Sequence, residues 1–294
     1  MSLTTTTTAV SPDSAGGATG FALRRPRGWR AAAGKYAALF TTNLREQLAY
    51  AGEMALRTVF LVMILYIFMR LWQATYAAQG ATTIAGFTVA QMIWYLAFTE
   101  TLTLSRPSVS RLVDEEIRSG SIAYLLVRPY AYAAYRLVLA LSERLLRLVT
   151  TLVVASGLAW LYVGPVPLSA LDLPAVLAAV CLAVALDFAG SFAIGLLAFW
   201  LENTSSVELI YSRMVMLLGG LLLPLEVFPE PLQSIARALP FGAMLHAPAR
   251  LALGSAPEPV PQLLARQVCW LAVAILVVAL LHRAAMRRVT VNGG

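Results

Sequence analysis

The chain has 294 residues, of which 59% are hydrophobic and only 13% charged, with mean hydropathy +0.74 and formal net charge +7. A soluble domain carries about a quarter of its residues as charges, so a water-soluble globular protein is excluded. The apolar residues come in uniform blocks, several near the ~20 residues a helix needs to cross a bilayer, without the alternation of a membrane barrel. Backbone groups in lipid must be satisfied within their own segment, and the expected fold is therefore an all-α integral membrane protein.

Residues 1–22 are dominated by Thr, Ser, Gly and Ala without periodicity and read as a disordered tail. A basic cluster follows, but Lys35, Arg45 and Glu46 interrupt what would be the apolar core of a signal peptide. Trp29, Ala33, Tyr36, Phe40 and Leu44 fall at helical spacing, the pattern of an amphipathic helix lying along the membrane interface. A plain cytoplasmic lead-in to the first span fits the same residues.

Spans are expected over about Met54–Trp72, Thr88–Leu104, Leu137–Val163, Pro174–Trp200, Val207–Leu223 and Leu263–Leu281, six in all. Between the fifth and sixth, Pro224–Pro261 is punctuated by prolines and its apolar runs are too short to cross, which suits a re-entrant or interfacial hairpin. The transmembrane domain is thus expected over residues 23–288, with 289–294 a C-terminal tail. Lys and Arg concentrate in the two tails and in the interval between the second and third spans. That bias predicts an inner (plasma) membrane protein with both termini cytoplasmic.

The interval itself, Leu104–Ala134, is the longest charged stretch between two spans. Val113, Ile117 and Tyr124 sit near helical spacing among Asp114, Glu115, Glu116 and Arg118. Ser108 or Ser110 can cap a start, Gly120 can end a first helix and Pro129 can stop a second. Returning to the membrane takes only a few residues; about two short helices point instead to a docking element.

Charges inside the spans are costly and mark candidate functional positions. Asp187 lies mid-way along the fourth span, either in a transport pathway or sealed by hydrogen bonds to a neighbouring helix. Glu100 and Arg57 lie at similar depth in the second and first spans and are expected to pair. Gly219 and Gly220, followed by Pro224, mark a hinge or a site of close helix packing. Cys181 and Cys269 lie in apolar blocks with no partner at metal spacing and read as buried, reduced thiols.

Catalytic signatures are missing: there is neither H-E-x-x-H nor G-x-S-x-G. The nearest approach to a phosphate-binding loop, from Gly28 to Gly34-Lys35-Tyr36, has one residue too many between its glycines and Tyr where Ser or Thr is needed. The chain is expected to be no enzyme and to bind no cofactor or metal of its own.

The run Glu115–Tyr130, EEIRSGSIAYLLVRPY, resembles the cytoplasmic loop between the second and third spans of ABC-2-type transporter permeases: acidic residue, apolar residue, Gly, apolar residues, Arg-Pro. A second stretch, Leu223–Phe241, is similar to that family's proline-marked outer hairpin before the last span. The resemblance covers about residues 25–288; the Thr-rich tail falls outside the pattern. It implies the permease subunit of an ATP-driven exporter. Its partners would be two separate ABC ATPase subunits, which hold ATP and Mg, and a second permease subunit, identical or homologous. The first helix of the insert would be the coupling helix, with Asp114, Glu115, Glu116, Ile117, Arg118, Gly120, Arg128 and Pro129 coupling to the ATPase. The competing reading is a stand-alone secondary transporter or channel built around Asp187, which would call for an inverted repeat that the sequence does not show.

Overall fold

A computed structural model describes residues 29–49, 51–128, 130–166, 172–255 and 258–292. The expected tail 1–22 and Pro129 lie outside the described residues. Apolar runs without alternation fold as helices, twelve among the described residues, and the only strand-like pairing is a single bridge between Ile84 and Phe87.

The chain opens with α1 (Trp29–Ala49) and α2 (Ala51–Gln79), then turns into α3 (Val89–Leu104). Thr88 caps α3 with a reciprocal capping box: its hydroxyl accepts from the Gln91 amide while its own N–H donates to the Gln91 side chain. The insert follows as α4 (Val109–Arg118) and α5 (Ile122–Val127). Gly120 joins them at φ +74°, a left-handed conformation that glycine adopts without a Cβ clash. Next come α6 (Tyr132–Val163), α7 (Leu173–Leu196, continued as a 3₁₀ turn to Phe199) and α8 (Ser205–Leu218). Short helices α9 (Glu230–Ala238), α10 (Phe241–Met244) and α11 (His246–Ala252) build the hairpin, and α12 (Val260–Asn292) closes the chain. Helix continues past Arg288, where a tail was expected to begin.

Among the described residues, three stretches are long and apolar enough by themselves to cross a membrane: Ala55–Gln79, Leu173–Phe199 and Val260–Arg288. The other three expected spans depart from that simple form for visible reasons. Helix α3 has 16 residues and α8 only 14, about 21 Å of helix for the latter. Helix α6 has 32 residues but carries Arg136, Glu143, Arg144 and Arg147 along its first half. Helix α8 also stops at Leu218, before the expected end at Leu223, because Gly219 and Gly220 follow it and Gly220 takes φ +74°.

Helices α3 and α6 pack together, as do α7 and α12; α2 lies on α3, α1 on α6, and α4 on the end of α7. Asn43 of α1 donates to Ser142 Oγ at 2.6 Å and to the Leu139 carbonyl, docking that helix against the start of α6. Tyr36, Phe40 and Leu44 are partly buried on α1, whereas Ala33 of the same expected stripe is exposed. On α2, Leu61, Leu65, Met69, Trp72 and Tyr76 repeat every three to four residues and are buried, while Leu56, Val59, Met63, Ile67 and Leu71 face outward. An apolar helix has little to gain by leaving lipid for protein, so packing and polar contacts decide which face turns inward. Contrary to the sequence expectation, Cys181 and Cys269 are both exposed on the protein surface rather than buried. The end of the bundle carrying α4 and α5 is called the insert end below, and the opposite end, carrying α9–α11, the hairpin end.

Candidate coupling site

Helix α4 has one apolar face, and the fold buries it. Val109 and Val113 join Ile122 of α5, Tyr132 and Ala140 of α6, and Phe192 and Leu196 of α7 in one cluster, with Phe188 and Phe192 stacked beside it. Contact with α7 is close enough to require glycine: a methyl group on Gly195 would meet Val113 Cβ at 2.6 Å and the Ser110 carbonyl at 3.0 Å.

Polar contacts then fix α4 in three directions. Glu116 points back at α6, where Tyr132 donates to Oε2 at 2.7 Å, Arg136 Nε donates to the same oxygen at 2.8 Å, and Arg136 Nη2 closes on Oε1. Burial pushes the Tyr132 phenol upward, and its bond to Glu116 adds to the shift, so the ring stays a donor. Asp114, also buried, accepts from Thr204 Oγ1 at 3.0 Å just ahead of α8, with Arg118 3.6 Å from its other oxygen. At the base of α4, Arg106 Nη2 lies 2.8 Å from Asp187 of α7. Arg144 of α6 closes on the second Asp187 oxygen at 2.5 Å and reaches the Leu102 carbonyl of α3. Arg147 pairs with Glu143 one turn away and donates to the Arg106 carbonyl.

Asp187 is the shared counter-ion of two arginines, held by a hydrogen bond from the neighbouring helix α6. A buried charge needs partners of this kind. Sequence reasoning singled out Asp187 and missed both of its partners. The available signal was Asp187, a lone acid in an apolar stretch that needs a cation, with Arg106 and Arg144 the basic residues at similar depth. The expected pair of Glu100 with Arg57 is not made: Glu100 is buried at 2% exposure and its Oε1 has no hydrogen-bond partner in the described residues. Equal depth fixes the height of two residues along their helices but not the direction in which each side chain turns.

The outer face of the insert is built differently. Glu115, Arg118, Gly120 and Arg128 are exposed, Ile117 is half-buried, and Leu112, Tyr124 and Val127 leave apolar surface uncovered, Tyr124 at 80% exposure and Val127 at 77%. Of the residues singled out in sequence, Asp114, Glu116 and Ile117 thus tie the insert down, whereas Glu115, Arg118, Gly120 and Arg128 share its free face with Tyr124 and Val127, which sequence reasoning had left out of the docking set. Beside this face, between the α3–α4 link and α8, lies a cavity of about 350 Å³ lined by Arg106, Arg111, Asp114, Glu208 and several Ser and Thr residues.

Near the hairpin end, the expected hinge is also a contact. Tyr95 donates to the Gly220 carbonyl at 2.7 Å and Thr99 donates to the Leu221 carbonyl at 2.7 Å, so α3 caps carbonyls left open where α8 stops. A Cβ at Gly220 would meet the Tyr95 hydroxyl at 2.8 Å. Pro224 then begins the hairpin with a 3₁₀ turn over Leu225–Val227.

Long apolar helices bound through buried charge pairs, with a separate polar insert, define a multi-pass membrane protein. The chain belongs to the ABC-2 transporter family: the family model described as ABC-2 family transporter protein matches residues 59–293. No curated protein matches the chain. Members of this family are membrane components of transport systems and work with ABC ATPases.

Proposed function

We propose that this chain is the permease subunit of an ATP-driven exporter in the inner membrane, with α4 and α5 as the element that receives the ATPase. One observation carries the reading: α4 is fixed to α6 through Glu116, to α7 through Val113 and Gly195, and toward α8 through Asp114, yet Glu115 and Arg118 of α4 and Tyr124 and Val127 of α5 are uncovered. A lever must be rigid on the side it drives and free on the side where it is driven. The chain supplies no ATP site of its own, so two ATPase subunits hold the nucleotide and Mg. In this reading six helices, α2, α3, α6, α7, α8 and α12, cross the membrane within a domain of residues 23–288. The insert and both termini face the cytoplasm, where the positive charge gathers, and a second permease subunit completes the pathway.

Purification in mild detergent from native membranes tests this. A P-loop ATPase should travel with the chain and hydrolyse ATP, and Tyr124→Ala combined with Val127→Asp should release it while the permease stays folded. A chain that purifies alone and transports in liposomes without ATP would refute the proposal.

A further inference from the structure

At the hairpin end, His246 of α11 is buried between two partners. Its Nδ1 is 3.0 Å from the Tyr95 hydroxyl of α3, and its Nε2 is 3.4 Å from Glu226 Oε1 in the 3₁₀ turn. Other charges face the same place. Arg250 of α11 lies 3.6 Å from Glu226 and stacks over Phe87 at 4.4 Å, Arg237 of α9 lines the adjoining cavity, and Glu258 and Arg266 at the start of α12 line it as an ion pair at 2.7 Å. The cavity holds about 20 Å³, room for about one water.

Protons in this chain of contacts can be counted. The Tyr95 hydroxyl has one hydrogen and two acceptors in reach, the Gly220 carbonyl at 2.7 Å and His246 Nδ1 at 3.0 Å. A neutral imidazole has one N–H. If that proton is on Nε2, it faces Glu226, Nδ1 takes the Tyr95 proton, and the Gly220 carbonyl is left bare. If it is on Nδ1, Tyr95 can serve Gly220, but the Nε2 lone pair confronts a carboxylate. With Glu226 ionised, only an imidazolium makes all three contacts: Nε2–H to Glu226, Nδ1–H to the Tyr95 oxygen, and Tyr95 O–H to Gly220.

We propose that His246 and Glu226 form a proton-binding site whose occupancy decides whether the Tyr95 hydroxyl caps the broken end of α8 or serves the imidazole. Binding the proton turns Tyr95 toward Gly220 and fastens the end of α8 to α3; releasing it frees that carbonyl and loosens the joint. Burial, with the nearby Arg250 and Arg237, opposes the charged imidazole, while Glu226 favours it. The net direction is down from the ordinary 6.5, so the site fills on acidification. On Glu226 burial acts upward, but His246 and Arg250 outweigh it and hold the carboxyl below its usual range. The proton therefore goes to the imidazole. In the orientation proposed above, the site sits on the outer side and slows a transport cycle that must move α8 against α3 when the exterior is acidic.

The chain has two histidines, which makes a direct reading feasible. Ring-¹⁵N spectra of His246 in a His282→Gln background should show the Nε2–H tautomer near pH 7.5 and the imidazolium near pH 5. Glu226→Gln should lower the midpoint about tenfold in proton affinity. The Gly220 carbonyl, observed through Gly–Leu pair labelling, should shift with the same midpoint and stay still in Tyr95→Phe. The Gly157–Leu158 and Gly195–Leu196 pairs report in the same spectrum as fixed references. An imidazole that stays neutral down to pH 5, an Nδ1–H tautomer at neutral pH, or a Gly220 shift unaltered in Tyr95→Phe would overturn the proposal. Because the titration needs no ATPase, its failure is separate from a failure of the exporter reading.

Discussion

The two ends of the molecule hold their charges with different closeness. At the insert end three acids have close partners: Glu116 has Arg136 and Tyr132, Asp187 has Arg106 and Arg144, and Asp114 has Thr204 and Arg118, while Glu208 Oε2 has no hydrogen-bond partner among the described residues. At the hairpin end the matching is looser: among the described residues neither Glu226 oxygen nor Arg250 Nε makes a hydrogen bond, the ion-pair partners of Glu226 stand off at 3.4 and 3.6 Å, and one tyrosine proton is shared between two acceptors. A closely matched network favours one arrangement and behaves as a rigid body. A network short of one proton has two arrangements of similar cost, as a moving joint requires. The proposed lever at the insert end and the proposed joint at the hairpin end fit this difference.

The sharpest way to break this contrast is to unmatch the insert end. Asp187→Ala leaves Arg106 and Arg144 buried without a counter-ion, a change that costs about 3–5 kcal/mol in comparable sites. Folded, monodisperse protein should be largely lost in detergent, as read by size-exclusion chromatography and thermal unfolding. Glu116→Gln comes next. It removes one charge of a partly exposed pair, with an expected cost of about 2 kcal/mol. The chain should still insert and still bind an ATPase, but ATP hydrolysis should no longer drive transport.

Gly195→Ala probes packing rather than charge. The added methyl must push α4 away through Val113 Cβ and the Ser110 carbonyl, at about 1–3 kcal/mol, and because Val113→Ala keeps that Cβ, it should restore little of the lost thermal stability.

The smallest effect concerns pH at the hairpin end. The folded state holds His246 below 6.5 and Glu226 below the usual carboxylate value of 4.5. Both groups then bind protons less readily when folded than when unfolded. Their stabilising contribution is complete above pH 6.5 and shrinks on acidification, first through His246 and then through Glu226. The wild-type melting temperature should fall more between pH 7 and 5 than that of His246→Gln, and amide exchange should localise the difference to α9–α11.

Much of this arrangement was legible in sequence. Hydropathy gave the helices, Gly120 gave the break between α4 and α5, and charge marked the insert as the part that leaves the apolar environment. What stayed hidden depends on rotation about each helix axis. Composition sets the depth of Asp187, Arg144 and Glu100 but not the direction each faces, and so the Arg106–Asp187–Arg144 cluster went unread and a Glu100–Arg57 pair was expected in its place. Glu116 shows the same limit: its spacing fits a free docking face, yet the turn at Gly120 brings α6 back within reach, and Arg136 takes it. The early end of α8 was hidden for another reason, since Leu221–Leu223 is as apolar as the helix before it and only backbone conformation at Gly220 separates the two.

The claim on which the account turns is that the free face of α4–α5 is where an ATPase binds. A photo-crosslinking residue at position 124, introduced into the chain in its native membrane, reports on that face directly. The account predicts a single major adduct with a P-loop ATPase, absent when the same probe replaces buried Ile122. An adduct with lipid alone, or none under conditions where the protein transports, would contradict it.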